Sequence, residues 1–349
     1  MKSNPDSVGP VLVTGASGFI AMHLTLQLLE AGYRVRGTLR SPSRGQAIRA
    51  TLEAKLGSEL GDRLELVKAD LTSDAGWPEA VRGCRYVLHV ASPLPRKPPK
   101  HEDELIAPAR DGALRVLRAA ADAGVERLVM TSSVAAILYG YDRTGDRVFS
   151  EADWSNLDGP IGAYEKSKTI AEKAAWDFLA GLPEEGRPEL VTINPGLVLG
   201  PILEADYGTS GEVVRKLMKR ELPGIPDVGW AVVDVRDVAA AHIAAMTAQD
   251  AAGERFVCAI EHASMQQIAD ILRSHFADRG YRIPSLRLPR WLVRLAAVFD
   301  PTTRLALVDL GQKQHVDSTR AREVLAWQPR SLEDMVVSMG ESMIQHGVV

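Results

Sequence analysis

Short apolar runs alternate along the first half of the chain with longer stretches whose apolar residues recur every three to four positions. The runs Val11–Thr14, Tyr33–Leu39, Leu64–Lys68, Tyr86–Val90, Arg127–Thr131 and Leu190–Asn194 predict strands. The periodic stretches Phe19–Ala31, Asp103–Ala123 and Ala163–Ala180 predict helices, and Gly32 and Gly124 follow two of them at the expected stops. Strict alternation of this kind predicts an α/β fold, a doubly wound parallel sheet with helices on both faces. After Pro195 the rhythm changes. Glycine and proline cluster at 196–201 and 223–229, a strand-plus-helix unit falls at Val232–Ala248, and a strand (Phe256–Ala259) and helices such as Ser264–Phe276 follow. The pattern predicts a nucleotide-binding domain of residues 8–195 plus about 228–254. A smaller, mostly helical C-terminal lobe for substrate would comprise about 196–227 plus 255–349.

Composition narrows this picture mainly by exclusion. The 349 residues are 46% hydrophobic and 25% charged, ordinary for a globular chain, and the net charge of −4 offers no footprint for nucleic acid. The two cysteines, Cys84 and Cys258, form no CxxC pair, so neither a disulfide framework nor a metal site is expected. The N-terminal MKSNPDSVGP lacks the apolar centre of a signal peptide, and no run of about eighteen apolar residues occurs. The expectation is a cytoplasmic protein without membrane or nucleic-acid partners, as a monomer or a homodimer.

The first strand runs directly into Gly15-Ala-Ser-Gly18-Phe-Ile-Ala21, and a helix follows. Glycines at such a turn allow close approach of a pyrophosphate, and the helix N-terminus offers free N–H groups and partial positive charge. Gly15, Ser17, Gly18, Phe19 and Ile20 are therefore candidate cofactor ligands, and the fold is expected to be of Rossmann type. The spacing is G-x-x-G-x-x-A rather than G-x-G-x-x-G. The second strand ends Gly37-Thr-Leu-Arg40-Ser-Pro-Ser-Arg44, where an NAD enzyme would place an acid. Arg40 and Arg44 instead suit a 2′-phosphate, which points to NADP(H). Asp70 and Leu71, closing the third strand, are expected beside the adenine.

Tyr164-Glu-Lys-Ser-Lys168 lies in a predicted helix, so Tyr164 and Lys168 share one face at i and i+4. A lysine ammonium there is expected to lower the phenol's pKa from about 10, letting it exchange a proton with a carbonyl or alcohol oxygen. Lys168 is also placed to hold the nicotinamide ribose. The fifth strand ends in Thr131-Ser132-Ser133 at the sheet edge where such folds bind ligands. Either serine could orient a substrate carbonyl. His89, His242 and His262 have no partner pattern and read as structural.

In combination, TGASGFIA, Arg40, Asp70-Leu71, HVASP at His89–Pro93, TSSVAA, YEKSK and INPGLVLGP at Ile193–Pro201 resemble the extended short-chain dehydrogenase/reductase family. The branch most similar is that of dihydroflavonol reductases and microbial aldehyde–ketone reductases, with the similarity running from about residue 10 to 260. The resemblance implies catalytic roles for Ser133, Tyr164 and Lys168, and so decides for Ser133 over Ser132. It implies that Val90, Ala91, Ser92 and Thr131 line the cofactor, and that Pro195, Gly196, Leu197 and Val198 meet its nicotinamide end. Asp237, in the returning segment Asp234–Val238, is expected to cap the next helix. Two departures stand out. Ala109 occupies the place of the asparagine that many short-chain enzymes use in a proton relay. The segment Gly159–Ala163 lacks a cinnamoyl-CoA reductase motif, which argues against a CoA thioester substrate.

The resulting expectation is NADPH-dependent reduction of a ketone or aldehyde, a small hydrophobic carbonyl compound, to its alcohol. Candidate pocket walls are Ser92, Pro93, Ile137, Tyr139, Leu203 and Tyr207, and no metal is required. Rival readings are a 3β-hydroxysteroid dehydrogenase-like enzyme, a nucleotide-sugar epimerase or dehydratase retaining NAD, and a non-catalytic NADP sensor. Arg40 opposes the second, and the presence of both Tyr164 and Lys168 opposes the third.

Overall fold

The computed structural model describes residues 9–57, 60–93, 101–300, 303–304 and 306–349; the N-terminal residues up to the expected domain start at residue 8 lie outside them. Twelve strands are described: β1 (Val11–Val13), β2 (Val35–Leu39), β3 (Leu64–Lys68), β4 (Tyr86–His89), β5 (Arg127–Thr131), β6 (Val148–Phe149), β7 (Glu189–Pro195), β8 (Leu197–Leu199), β9 (Gly229–Asp234), β10 (Arg255–Cys258), β11 (His262–Ser264) and β12 (His315–Val316). The main helices are α1 (Phe19–Glu30), α2 (Gly45–Leu56), α3 (Trp77–Val81), α4 (Asp103–Asp122), α5 (Ala163–Ala180), α6 (Glu212–Met218), α7 (Val235–Thr247), α8 (Met265–Phe276) and α9 (Arg290–Phe299), followed by Thr319–Val324 and Leu332–Gln345.

Seven strands form one parallel sheet in the order β10-β7-β5-β4-β1-β2-β3. The order reverses between β1 and β4, and open α/β sheets bind ligands at the carboxyl ends of such a pair. Alternation along β1 explains why both faces are covered. Val11 and Val13 join the apolar cluster built with α1 and α7, and Leu12 joins the cluster of α3, α4 and α5 on the other face. Ala109 is buried in that second cluster, so the helix carries packing there rather than a polar relay.

The boundaries of the two expected units need correction at strand level. Arg255–Cys258 pairs in parallel with β7 and is the edge strand of the seven-stranded sheet, not part of the small lobe. Conversely, Gly229–Asp234 pairs with β8 and β11 in a separate three-stranded sheet. All four residues of β10 are buried, which suits an edge strand covered by the helix Thr319–Val324. The lobe has its own core, in which Leu199 and Val232 meet Ile268, Leu272 and Phe276 of α8 and Met335, Val336 and Met339 of the last helix. Ser264 and Gln267 form a reciprocal capping box that starts α8. The cap of α7 is Asp234, which accepts from the Arg236 N–H at 2.8 Å. Asp237 lies inside that helix and binds the Arg330 backbone and guanidinium, correcting the capping role expected for it. No helix among the described residues is long and apolar enough to cross a membrane.

Candidate active site

At the end of β1 the chain turns through Gly15, whose φ of +68° lies in the left-handed region. A Cβ at this position would stand 3.0 Å from that of Ala91. The turn is pinned by its neighbours. The Thr14 hydroxyl accepts from the Val90 and Ala91 N–H groups, both at 3.0 Å, and so donates to His89 Nδ1 at 2.9 Å. His89 is buried, and desolvation pushes its pKa down to about 3, so it serves as a neutral acceptor. Gly18 precedes α1 with no side-chain cap and no acid in the first turn. A backbone that approaches closely, followed by uncapped N–H groups free of negative charge, fits a pyrophosphate. Ser17, Phe19 and Ile20 are partly exposed on this turn.

Tyr164 and Lys168 lie one turn apart on α5, which starts at Ala163. The Ser133 hydroxyl lies close enough to the Tyr164 phenol to favour its ionised form, a smaller effect than desolvation. Tyr164 retains 37% exposure, and desolvation by the surrounding protein is the largest effect on its phenol, pushing the pKa up to about 12. The expected lowering by Lys168 is therefore not present in the protein by itself. Lys168 is also desolvated, its pKa falling to about 8 against the opposing pull of Glu172, and its ammonium donates to Ser92 Oγ at 3.3 Å. Ser133 Oγ in addition accepts from the Ala135 N–H at 3.1 Å and sits 3.5 Å from the Pro195 carbonyl. Ser132 points elsewhere, to the carboxylate of Glu172.

Glu172 is the main feature missed by sequence reasoning. It is fully buried, eight residues after Tyr164 on the same helix face. Its carboxylate accepts from Ser132, from Thr192 Oγ1 at 3.2 Å, from Asn194 Nδ2 at 2.8 Å and from Arg255 Nε at 2.6 Å. Asn194 Nδ2 also donates to the Ser133 carbonyl at 3.2 Å, which ties the network to the candidate catalytic serine. The Arg255 guanidinium stacks on Trp154 at 3.8 Å and donates to the Glu151 and Asp153 carbonyls. Extending the i, i+4 spacing one more step from Lys168 would have found Glu172; nothing local marks Arg255.

Other expected residues fall into three groups. Arg40 is exposed and near enough to Asp70 to help depress its carboxyl, although hydrogen bonds from Thr72 are the larger cause. One Asp70 oxygen is thereby occupied by the Thr72 N–H and hydroxyl, both at 2.8 Å, while Leu71 packs against Gly112. Arg44 is ion-paired with Glu204 of the lobe at 2.7 Å. Pro195, Gly196, Leu197 and Val198 continue from β7 into β8, and Gly196 passes so close to Ala231 that a Cβ would lie 2.2 Å from its carbonyl oxygen. Thr131 turns its hydroxyl to His242 Nε2 at 2.7 Å, while His242 Nδ1 donates to the Val238 carbonyl. Two pocket-wall expectations are corrected. Ile137 is wholly buried, and Tyr139 is covered by the Arg143 guanidinium 4.1 Å above its ring and by Gln314 Nε2 on its hydroxyl at 2.8 Å. The segment after β5 dips into a fourth apolar cluster with Phe149 and Val257, which takes both side chains inward. Ser92, Pro93, Leu203 and Tyr207 remain at least partly exposed. His262 Nδ1 accepts from the Gln314 N–H.

A glycine turn at the sheet's switch point, with serine, tyrosine and lysine at the same edge, defines a Rossmann-fold protein of the short-chain dehydrogenase/reductase kind. The chain belongs to the NAD dependent epimerase/dehydratase family, whose pattern spans residues 11–259. Cinnamoyl-CoA reductase CAD2 of Medicago truncatula is 36% identical over 285 residues, covering 80% of this chain and 82% of that protein. Tetraketide alpha-pyrone reductase 1 of Arabidopsis thaliana is 32% identical over 345 residues, covering 97% and 96%. The structure of yeast methylglyoxal/isovaleraldehyde reductase Gre2 complexed with NADPH matches with a TM-score of 0.81 at 27% identity, covering 97% of this chain and 100% of that one. These relatives set the chain in the extended, dihydroflavonol reductase-like branch.

Proposed function

We propose that the protein catalyses NADPH-dependent reduction of a small hydrophobic ketone or aldehyde to its alcohol. The observation that carries this reading is the placing of Tyr164 and Lys168 one turn apart on α5, with Ser133 in the turn after β5 that packs against that helix. A neutral phenol is a proton donor, the state that reduction requires. Bound NADPH supplies the hydride to the carbonyl carbon. Ser133 orients the carbonyl oxygen, and Tyr164 delivers a proton to that oxygen as negative charge develops. Lys168, held by Ser92, holds the nicotinamide ribose and presents positive charge to the phenol as its proton leaves. The turn Gly15–Ile20 holds the pyrophosphate, and Arg40 and Arg44 receive the 2′-phosphate. With Ile137 and Tyr139 turned inward, Ser92, Pro93, Leu203 and Tyr207 are the remaining candidate walls of the substrate cleft.

NADPH bound to the yeast relative supports the cofactor assignment. A second reading, reduction of a CoA thioester, is favoured by the 36% identity to a cinnamoyl-CoA reductase. The deciding experiment follows absorbance at 340 nm with NADPH and NADH against aldehydes, α-diketones, dihydroflavonols, ketosteroids and a cinnamoyl-CoA thioester. Oxidation of NADPH with free carbonyls, strongly preferred over NADH, is the expected result. Turnover of the thioester alone, with release of free thiol, would transfer the assignment to the second reading. Tight NADPH binding without turnover of any compound would sink both.

A further inference from the structure

The segment from 200 to 208 leaves β8 and runs beside the N-terminal half of α1, the helix that follows the glycine turn. It is fastened there at two points. Near its start, His23 of α1 donates from Nε2 to the Pro201 carbonyl at 2.7 Å. Burial pushes the pKa of His23 down to about 4, so the ring is neutral and carries the proton that this bond needs. At its end, Gly208 packs on Phe19, the first residue of α1, with room for a Cβ only 3.3 Å from the Phe19 Cβ. Leu203 adds its side chain to the apolar cluster that contains α1. Between these anchors stands Glu204. Its side chain is only 16% exposed, and its Oε1 accepts from Arg44 Nη2 at 2.7 Å across from the loop that follows β2.

We propose that Glu204 is an internal competitor for the cofactor's 2′-phosphate, a residue that sets how tightly NADP(H) is held and how readily it leaves. The inference rests on the reading that Arg44 receives that phosphate. A carboxylate and a phosphate both seek the same guanidinium, and at close range they repel one another. The phosphate carries more charge and more acceptor oxygens, so it displaces Glu204 when the cofactor binds. Because His23 and Phe19 hold the flanking backbone, the carboxylate stays near Arg44 and recaptures it when the cofactor departs. A cofactor lacking the phosphate makes no demand on Arg44 and is indifferent to Glu204. The exchangeable cofactor of a reductase benefits from this arrangement, since grip on the phosphate is relieved without loss of the contacts that position the nicotinamide.

The test measures dissociation constants of NADPH and NADH by fluorescence titration, and the NADP+ release rate by stopped flow, for the full chain and for Glu204→Gln, Arg44→Gln and the double variant. Glutamine keeps the shape of Glu204 and removes its charge. Glu204→Gln is expected to tighten NADPH about fivefold, the size of a partly exposed ion pair, and to slow NADP+ release, with NADH unchanged. In the Arg44→Gln background, where only the direct repulsion between carboxylate and phosphate remains, the same substitution should have a much smaller effect on NADPH. Unchanged or weaker NADPH binding in Glu204→Gln, with Arg44→Gln still costing NADPH affinity, overturns the competition while leaving Arg44 as the phosphate ligand. An equal gain for NADH also overturns it, since the charge would then act on something other than the phosphate. If Arg44→Gln leaves NADPH binding intact, the underlying assignment of Arg44 fails as well.

Discussion

The two ends of the proposed cofactor cleft are built in opposite ways. At the catalytic end, Ser132, Thr192, Asn194 and Arg255 converge on a fully buried Glu172, and Ser133 is tied to the same network through its carbonyl. At the phosphate end, Arg40 is exposed and Arg44, 44% exposed along its side chain, makes a single ion pair. A hydride and a proton must arrive at fixed atoms, and a bonded interior network holds such positions to a few tenths of an ångström. A cofactor that comes and goes is better served by contacts in water, where each charge pair is screened and weak. On the proposed reading, the bonded network lies where bonds change, and exposed charge where the cofactor is recognised.

Substitutions at each end test this contrast, and the largest effect is expected at the phenol. Tyr164→Phe should lower turnover by about 10²–10⁴-fold with NADPH affinity retained, read by steady-state kinetics beside a binding titration. Retained turnover would remove Tyr164 as the proton donor. Glu172→Ala should lower stability by about 3–5 kcal/mol in a denaturant titration, because Arg255 would be left buried with its main counter-charge gone. A loss below about 1 kcal/mol, the range of exposed pairs, would erase the distinction between the two ends. Arg44→Gln should weaken NADPH about tenfold and leave both NADH affinity and stability nearly unchanged.

The smallest effect concerns pH. The pKa of Lys168 is depressed to about 8, so its ammonium is present below that pH and is lost as pH rises through it. The kcat/KM for reduction should therefore be flat in neutral solution and fall above about pH 8, since this ratio reports groups of the free enzyme. Tyr164 does not contribute to that limb, because its proton is retained to about pH 12. Glu172 pulls the Lys168 pKa upward, so Glu172→Gln should move the limb to lower pH. A profile unmoved by that substitution would separate the buried network from the catalytic lysine.

The parallel sheet was legible because each strand is a local apolar run and each covering helix a local period, with the glycine turn marking where they meet. The strand Arg255–Cys258 was visible for the same reason, but its sheet was not, since pairing with β7 depends on a return across more than fifty residues. Tyr164 and Lys168 could be placed on one face from their spacing alone. Glu172 lies on the same repeat, but its importance comes from Arg255, Asn194 and Ser132, which only the folded chain brings to it. Ile137 and Tyr139 look like pocket walls in a linear reading, and Gln314, which binds the Tyr139 hydroxyl, comes from 175 residues further along the chain.

Chain-local physics thus determined the element types, the glycine turn and the helical register of the tyrosine and lysine, because hydrogen bonding and side-chain periodicity act over a few residues. The ionisation of the site was decided by tertiary structure. Lys168 is near enough in sequence to be expected to acidify Tyr164, yet desolvation raises the phenol's pKa with no counter-pull from Lys168, and desolvation is a property of everything packed around an atom rather than of its neighbours along the chain. The same holds for Arg44, whose partner Glu204 stands 160 residues away and meets it only because the lobe folds back over α1.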